Sequence, residues 1–372
     1  MKVFVVDPSL YTSPYDEHFM QGLLETGVEP VLFTRPFRPG EQLDLPAEAI
    51  RPFFYRSTDW RAPLLGKAAK GVEHLLDQAR FARAVADERP DVIHFQWSVM
   101  PLFDKELFRK LRRRCPVVLT AHDTKAFNGA QTSRLQTLGF NDIFQAASHV
   151  IVHTASAAET LQSRGVPEGH VSIIPHGPLT LKARPAARRR STRSAGWTVV
   201  AFGRLRPYKG LSVLVDAVSL LPEGLRAGLR CIVAGEAMMD LAPLVSQIEA
   251  AGLQSCFDLR PRQHTDDEVS DLLEEADCFV FPYLDIEASG VLFLVGGLGR
   301  WMIASDLGAF REVIVPGVSG DLVPPGDAAQ LSAALARSIE TRPHPQPAAQ
   351  PISWKEIGGR TVALYRSLLS VR

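Results

Sequence analysis

Apolar residues in this chain come in short runs, separated by stretches in which they recur at helical spacing. Val3–Val6, Pro30–Thr34, Val92–Phe95, Val117–Ala121, Val150–His153 and Val171–Ile174 read as strands of a first half. His18–Thr26, ended by Gly27, and Phe103–Arg113 read as helices between them. The same alternation restarts further on, with strands at Thr198–Phe202, Arg230–Ala234, Phe257–Leu259, Cys278–Pro282, Met302–Ala304 and Asp321–Val323. Helices are expected after Gly210 (Leu211, Leu214, Val215, Val218) and over Asp266–Glu275, Ala328–Ile339 and Trp354–Leu369. Apolar strands alternating with amphipathic helices predict parallel sheets covered on both faces, joined by right-handed crossovers.

Between the halves the periodicity stops. Leu179–Trp197 carries Pro185 and six cations (Lys182, Arg184, Arg188, Arg189, Arg190, Arg193) and no acid, which reads as a linker or exposed loop. A Pro-rich break over Pro343–Pro351 precedes the last helix. The expected organisation is a first domain over 1–178, a basic linker over 179–197, a second domain over 198–345, and a C-terminal helix within 346–372 that crosses back to the first domain. The fold class is α/β, two tandem Rossmann-like doubly wound sheets facing a cleft. Ligands of such sheets sit at the carboxyl ends of the strands.

Composition narrows the function. The 372 residues have zero formal net charge, 46% hydrophobic and 22% charged content, so nothing draws the whole chain to nucleic acid. Four scattered cysteines without CxxC spacing read as buried free thiols, which fits a reducing, cytoplasmic setting. No apolar run approaches the ~18 residues of a membrane span, and Met1–Val6 is too short for a signal core.

The chemistry concentrates at Val199-Val-Ala-Phe-Gly-Arg-Leu-Arg-Pro-Tyr-Lys-Gly210. A buried strand ends at Gly203, Arg204 and Lys209 follow, and Gly210 opens a helix. A guanidinium and an ammonium beside a helix N-terminus suit a diphosphate. Pairing of both cations with surface carboxylates is the competing reading. Further on, Glu287-Ala-Ser-Gly-Val-Leu292 follows a strand, and small Ser289 and Gly290 let backbone amides approach a ligand ahead of a helix starting near Val291. His122 and Asp123 end the strand Val117–Ala121; a core histidine and a hydroxyl-binding histidine both fit His122.

Several motifs occur together in one order: Phe202–Gly210, Ile232-Val-Ala-Gly-Glu236, Ala276–Tyr283, Glu287–Leu292, Met302–Gly308, Arg311-Glu312 and Gly320–Asp327. On these the chain resembles the retaining glycosyltransferases of family 4, with the two-domain GT-B architecture, in a branch common in exopolysaccharide synthesis. Thr120-Ala-His-Asp123 and Ile173-Ile-Pro-His-Gly177 fit the first half of that family. The resemblance implies sugar transfer from a nucleotide-diphosphate sugar (UDP- or GDP-sugar) to a glycan or lipid-linked acceptor. It implies retained configuration and no required metal or other cofactor.

It also implies roles for residues. Arg204 and Lys209 bind the donor diphosphate, and charge growing on that leaving group makes them catalytic. Glu287 contacts a sugar hydroxyl, and Ser289, Gly290, Val291 and Leu292 present backbone to the phosphates. Gly235, Glu236 and Arg262 flank the base, with an exposed loop arginine as the other reading of Arg262. His122 lies near the transferred sugar, with Asp123 orienting the ring or the acceptor hydroxyl.

Two features depart from the family. Its second glutamate falls on Val295 or Leu294, and its Gly-Gly loop is replaced by Pro8, Ser9, Pro14 and Tyr15, with His18 read as a helix N-terminal residue.

Lys105, Arg109, Lys110, Arg112, Arg113 and Arg114 decorate the helix that buries Phe103, Leu107, Phe108 and Leu111. That helix is either a solvated amphipathic helix or a basic face resting on anionic lipid, a peripheral position on the inner face of the cytoplasmic membrane. Other functional readings are a catalytically silent sugar-nucleotide-binding subunit and a sugar-nucleotide epimerase of the same fold. A nicotinamide dehydrogenase is disfavoured because no GxGxxG follows a strand.

Overall fold

A computed structural model of the chain describes residues 1–56, 64–124, 137–181, 196–287, 289–345 and 352–371. Lys182, Arg184, Arg188, Arg189, Arg190 and Arg193 lie outside these residues, as do Ala288 and 346–351. The chain divides into two compact units, Met1–Gly177 with Ile352–Arg372, and Pro178–Pro351.

The first unit holds β1 (Lys2–Val6), β2 (Glu29–Thr34), β3 (Ile50–Pro52), β4 (Val92–Phe95), β5 (Val117–Ala121), β6 (His149–Val152) and β7 (Val171–Ile173). They form one parallel sheet in the order β3-β2-β1-β4-β5-β6-β7. The second unit holds β8 (Trp197–Phe202), β9 (Leu229–Ala234), β10 (Phe257–Arg260), β11 (Cys278–Phe281), β12 (Trp301–Ser305) and β13 (Gly320–Val323). They are also parallel, in the order β10-β9-β8-β11-β12-β13. Strand order reverses between β1 and β4 in one sheet and between β8 and β11 in the other. The crevices outside those strand ends are where such sheets take ligands.

Each sheet is buried on both faces, which explains the unbroken apolar runs. In β5, Val117 and Leu119 join one core layer and Val118 the other; in β8, Val199 and Ala201 go one way and Val200 the other. Burying each such side chain contributes roughly 1.5–3 kcal/mol. All four cysteines are buried and free.

The helix Trp354–Ser370 belongs to the first unit and packs on the helix Ser13–Leu24. The contact is backbone to backbone: a Cβ on Gly358 would fall 2.2 Å from the Gly22 carbonyl oxygen. Tyr365 from this helix hydrogen-bonds His94 Nδ1 at 2.6 Å, and His94 Nε2 meets Thr120 Oγ1 at 2.7 Å, a buried chain that ties the helix to β4 and β5.

The structure differs from the sequence reading in three places. The first helix begins at Ser13 with Pro14 in its first turn, so the loop after β1 is shorter and His18 is mid-helix, its Nδ1 donating to the Pro14 carbonyl at 2.7 Å. The helix Leu64–Glu88 escaped the sequence reading; Val72, Leu75 and Leu76 are exposed, and they blur its apolar stripe. The edge strand β3 is three residues ending in Pro52, too short to register as a run.

Candidate active site

In the second unit the residues after β8 close on those after β9 and β11. Gly203 has φ +104°, and a Cβ there would sit 2.9 Å from both Lys209 Nζ and Val291 Cγ2. Gly235 has φ +137°, and its Cβ would lie 2.3 Å from the Gly203 carbonyl oxygen. These two close approaches admit only glycine. They bring Arg204, Lys209, Gly235, Glu236 and Val291 to one place.

The two cations behave differently. Arg204 is exposed, its Nε 3.9 Å from Glu236 Oε2, a loose surface pair. Lys209 is buried, and its ammonium donates to the Phe202 carbonyl at 2.9 Å and to the Tyr283 hydroxyl at 2.8 Å. It also lies over the Tyr283 ring, 4.9 Å from the centroid. Burial, with Arg206 nearby, pushes the Lys209 amine down to about 7. The competing reading, a surface carboxylate partner, does not describe Lys209: it is buried, and the acceptors of these hydrogen bonds are a carbonyl and a phenol. Tyr283, just past β11, was missed because one tyrosine after a strand carries no signal until the fold sets it against the lysine. Burial raises its hydroxyl pKa, and the hydroxyl also hydrogen-bonds Ser289.

Ser289 is buried as the N-cap of the six-residue helix Gly290–Val295, and Gly290 is exposed. Glu287 is half-buried, its carbonyl accepting from Ala309 N at 2.8 Å. Leu292 and Val295 are in the core, so the Leu292 side chain is spent on packing. Leu294 packs against the same core. Both positions where a second glutamate was sought are therefore apolar by burial. Arg262 is exposed and held by Glu268 at 2.7 and 2.9 Å, while Glu268 also closes the capping box with Thr265. Arg262 thus braces the start of a helix; Glu268, paired with it, is pushed down to about 2.

In the first unit, His122 sits in a cluster of rings. Tyr15 lies 4.6 Å from His122, 5.3 Å from His153 and 5.0 Å from His176, centroid to centroid. The hydrogen bonds fix the tautomers. His153 Nδ1 faces the Ile174 carbonyl at 3.0 Å and must donate; its Nε2 then accepts from His122 Nδ1 at 3.2 Å. His122 Nε2 is left a bare acceptor, with no hydrogen-bond partner among the described residues. Burial holds His153 down to about 4 and His122 well below its usual range, so both rings are neutral. Asp123 is half-buried beside this cluster.

The loop after β1 carries a second group that sequence reasoning passed over. Asp7 accepts from Ser9 N at 3.1 Å and Thr12 N at 3.0 Å. Burial, reinforced by Asp7, lifts the pKa of Asp16 well above the carboxylate range. Asp7 in this loop and Asp16 in the first turn of the following helix thus form a hydrogen-bonded pair of acids. No group of side chains suited to a metal ion occurs among the described residues.

Two Rossmann-like parallel-sheet units with a Gly-Arg…Lys-Gly turn at the second switch point define the GT-B class of fold. The family described as "Glycosyltransferase Family 4" matches residues 17–178, and "Glycosyl transferases group 1" matches residues 184–350. The chain belongs to this glycosyltransferase family. It is similar to a phosphatidyl-myo-inositol mannosyltransferase of Mycobacterium leprae, 35% identical over 143 residues, 38% of this chain and 36% of the relative. It is also similar to a D-inositol 3-phosphate glycosyltransferase of Geodermatophilus obscurus, 27% identical over 278 residues, 67% of this chain and 61% of the relative. The chain thus spans 36% to 61% of the length of these curated relatives. Among solved structures, Anabaena Alr3699/HepE in complex with UDP shares the fold at TM-score 0.71 and 17% identity, over 99% of this chain and 100% of that one. Sucrose-phosphate synthase from Thermosynechococcus elongatus shares it at TM-score 0.77 and 18% identity, over 100% and 99%.

Proposed function

We propose that the chain is a retaining glycosyltransferase that moves a sugar from a nucleotide-diphosphate sugar to a glycan or lipid-linked acceptor in surface polysaccharide or glycolipid assembly. The observation that carries this reading is Lys209, held with its amine at a switch-point strand end beside Arg204, Gly203 and Gly235. A departing diphosphate gains charge as the glycosidic bond breaks, and fixed cations stabilise that state more than the ground state. The buried Lys209 amine is the more effective of the two, since water screens it least. Support for a UDP-sugar as donor comes from Anabaena HepE, whose structures are described in complex with UDP and UDP-glucose. Gly235, Glu236, Ser289, Gly290 and Val291 surround the nucleotide and phosphates in this reading, and Glu287 contacts the sugar. His122 offers Nε2 to a hydroxyl, with Asp123 beside it. Neither a metal nor another cofactor enters this scheme.

A place on an anionic membrane surface forms part of the proposal. Among the described residues no helix is long and apolar enough to cross a membrane. Of the cations in Lys105–Arg114, Lys105 pairs with Asp142 at 2.6 Å, Arg109 pairs with Glu106, and Arg112 reaches the Gln145 and Ala146 carbonyls. The basic face is therefore partly engaged. The exposed Val72, Leu75 and Leu76 lie on the helix Leu64–Glu88, which packs beside the helix Pro101–Leu111 and adds apolar surface.

The test is a thermal-shift screen of UDP-, GDP- and ADP-sugars, then transfer with the best binder and NMR of the product's anomeric centre. Binding with retained configuration supports the reading. Inversion overturns the mechanism, interconversion of the donor without transfer points to an epimerase, and binding without any reaction to a silent subunit. Flotation with anionic liposomes tests the membrane part, and salt-insensitive or absent binding ends it.

A further inference from the structure

Two histidines from neighbouring strands meet at the edge of the first sheet. The pairing of β5 with β6 sets Ala121 level with Val152, and both face one core layer. His122 and His153 come next on each strand and so share the opposite face. Their ring centroids are 5.1 Å apart, near the strand spacing of about 4.8 Å. β7 continues the row: Ile173 is level with Val152, which brings the Ile174 carbonyl beside His153. Tyr15 stands edge-on to His122 at 84°, and His176 edge-on to His153 at 70°, so both rings are packed against others.

The hydrogen bonds through this pair run in one direction. The Ile174 carbonyl, 3.0 Å from His153 Nδ1, can only accept, so the proton of a neutral His153 is on Nδ1. Nε2 of His153 is then a lone pair, and His122 Nδ1, 3.2 Å away, must carry a proton to bond it. A neutral imidazole has one N–H, which leaves His122 Nε2 a lone pair without a partner among the described residues. The reverse direction would need His153 protonated on both nitrogens, and burial holds both rings neutral at pH 7. A flipped His153 ring would set carbon against the Ile174 carbonyl and lose that bond.

We propose that His153 is a positioning residue that sets the polarity of His122: it holds His122 in the Nδ1–H form and makes Nε2 a hydrogen-bond acceptor. The same ring in its other tautomer would present an N–H, a donor suited to an anionic or carbonyl oxygen. With His153 in place, the group that meets His122 Nε2 has to bring a hydrogen. The tautomer rests on the two hydrogen bonds alone; that the approaching group is a substrate hydroxyl rests on the transferase reading.

Long-range proton–nitrogen NMR on the full chain, labelled with nitrogen-15 histidine, reads which ring nitrogen carries the proton. His122→Asn identifies the His122 signals among the 10 histidines by their loss. At pH 7.5 His122 is expected to be protonated at Nδ1 and bare at Nε2. His153→Leu offers no acceptor, so the proton should move to Nε2. His153→Gln, whose amide can donate to Ile174 and accept from His122, should keep it on Nδ1. His153→Phe, which retains a ring, serves if the leucine variant fails to fold. Nε2–H on His122 in the unaltered chain overturns the proposal, as does an Nδ1–H form that persists in the folded leucine or phenylalanine variant. Loss of that form in the glutamine variant as well overturns it, since packing would then set the tautomer. Transfer should fall roughly tenfold in His153→Leu and stay within about threefold in His153→Gln; equal rates in the two overturn the positioning role. Expected tautomers in a chain that transfers no sugar would sink the transferase reading and leave the tautomer assignment standing.

Discussion

The Lys209 ammonium and the Tyr283 hydroxyl lie 2.8 Å apart, one from the turn after β8 and the other from the loop after β11. The contact spans the switch point of the second sheet and fixes the amine from both sides, with the Phe202 carbonyl as its other partner. Tyr283→Phe keeps the ring under the amine and removes one acceptor. The expected cost is about 1 kcal/mol in stability and roughly tenfold in transfer rate. Rates at pH 6 and pH 8 check it: the loss should be larger at pH 8, where a less supported amine is more often neutral.

Arg204→Ala and Lys209→Ala should each lower transfer roughly a hundredfold, the loss typical of one electrostatic contact to a leaving group. Circular dichroism should be unchanged for Arg204→Ala, whose side chain is 63% exposed. Unaltered turnover in both variants would remove the diphosphate assignment.

Donor binding should take up a proton. The Lys209 amine titrates at about 7 in the unliganded chain, against an ordinary value of 10.5. A diphosphate beside it favours the charged form, so above pH 7 binding draws a proton from solution and affinity falls as pH rises. Calorimetry at pH 8 in two buffers of different ionisation enthalpy measures this; equal heats in both buffers would contradict it.

Gly210 has φ +63°, and a Cβ there would meet the Pro282 carbonyl oxygen at 1.9 Å. Gly210→Ala should destabilise the chain by about 2–4 kcal/mol in denaturant unfolding, through strain and the forced retreat of the loop after β11.

Acid should weaken the first unit through its buried histidines. Burial holds His94 down to about 3 and, with His170 adding at His149, holds His149 and His153 to about 4, against 6.5 for an unhindered ring. Between pH 6.5 and 4 the unfolded chain therefore binds more protons than the folded one, so stability is full above 6.5 and declines as pH falls through that window. A thermal midpoint that stays level from pH 7 to pH 4.5 would refute this.

The sequence by itself determined the parallel strands, the two units' alternation and the Gly-Arg…Lys-Gly turn. Runs buried on both faces of a sheet leave an unbroken apolar trace, and a turn at a strand end is local. Most strand ends were legible to within a residue for that reason, and Asp266–Glu275 to the residue, since its capping box is written into four neighbouring positions. The helix Leu64–Glu88 was not legible, because exposed leucines break the stripe that marks a helix. What only the tertiary structure decided is who meets whom across strands far apart in sequence. It set Tyr283 against Lys209, gave Arg262 to Glu268, put Val295 in the core, and left buried polar atoms of Gln96 and His122 unmatched among the described residues. Burial and hydrogen-bond partnership are properties of the packed chain, and no local pattern of residue types encodes them.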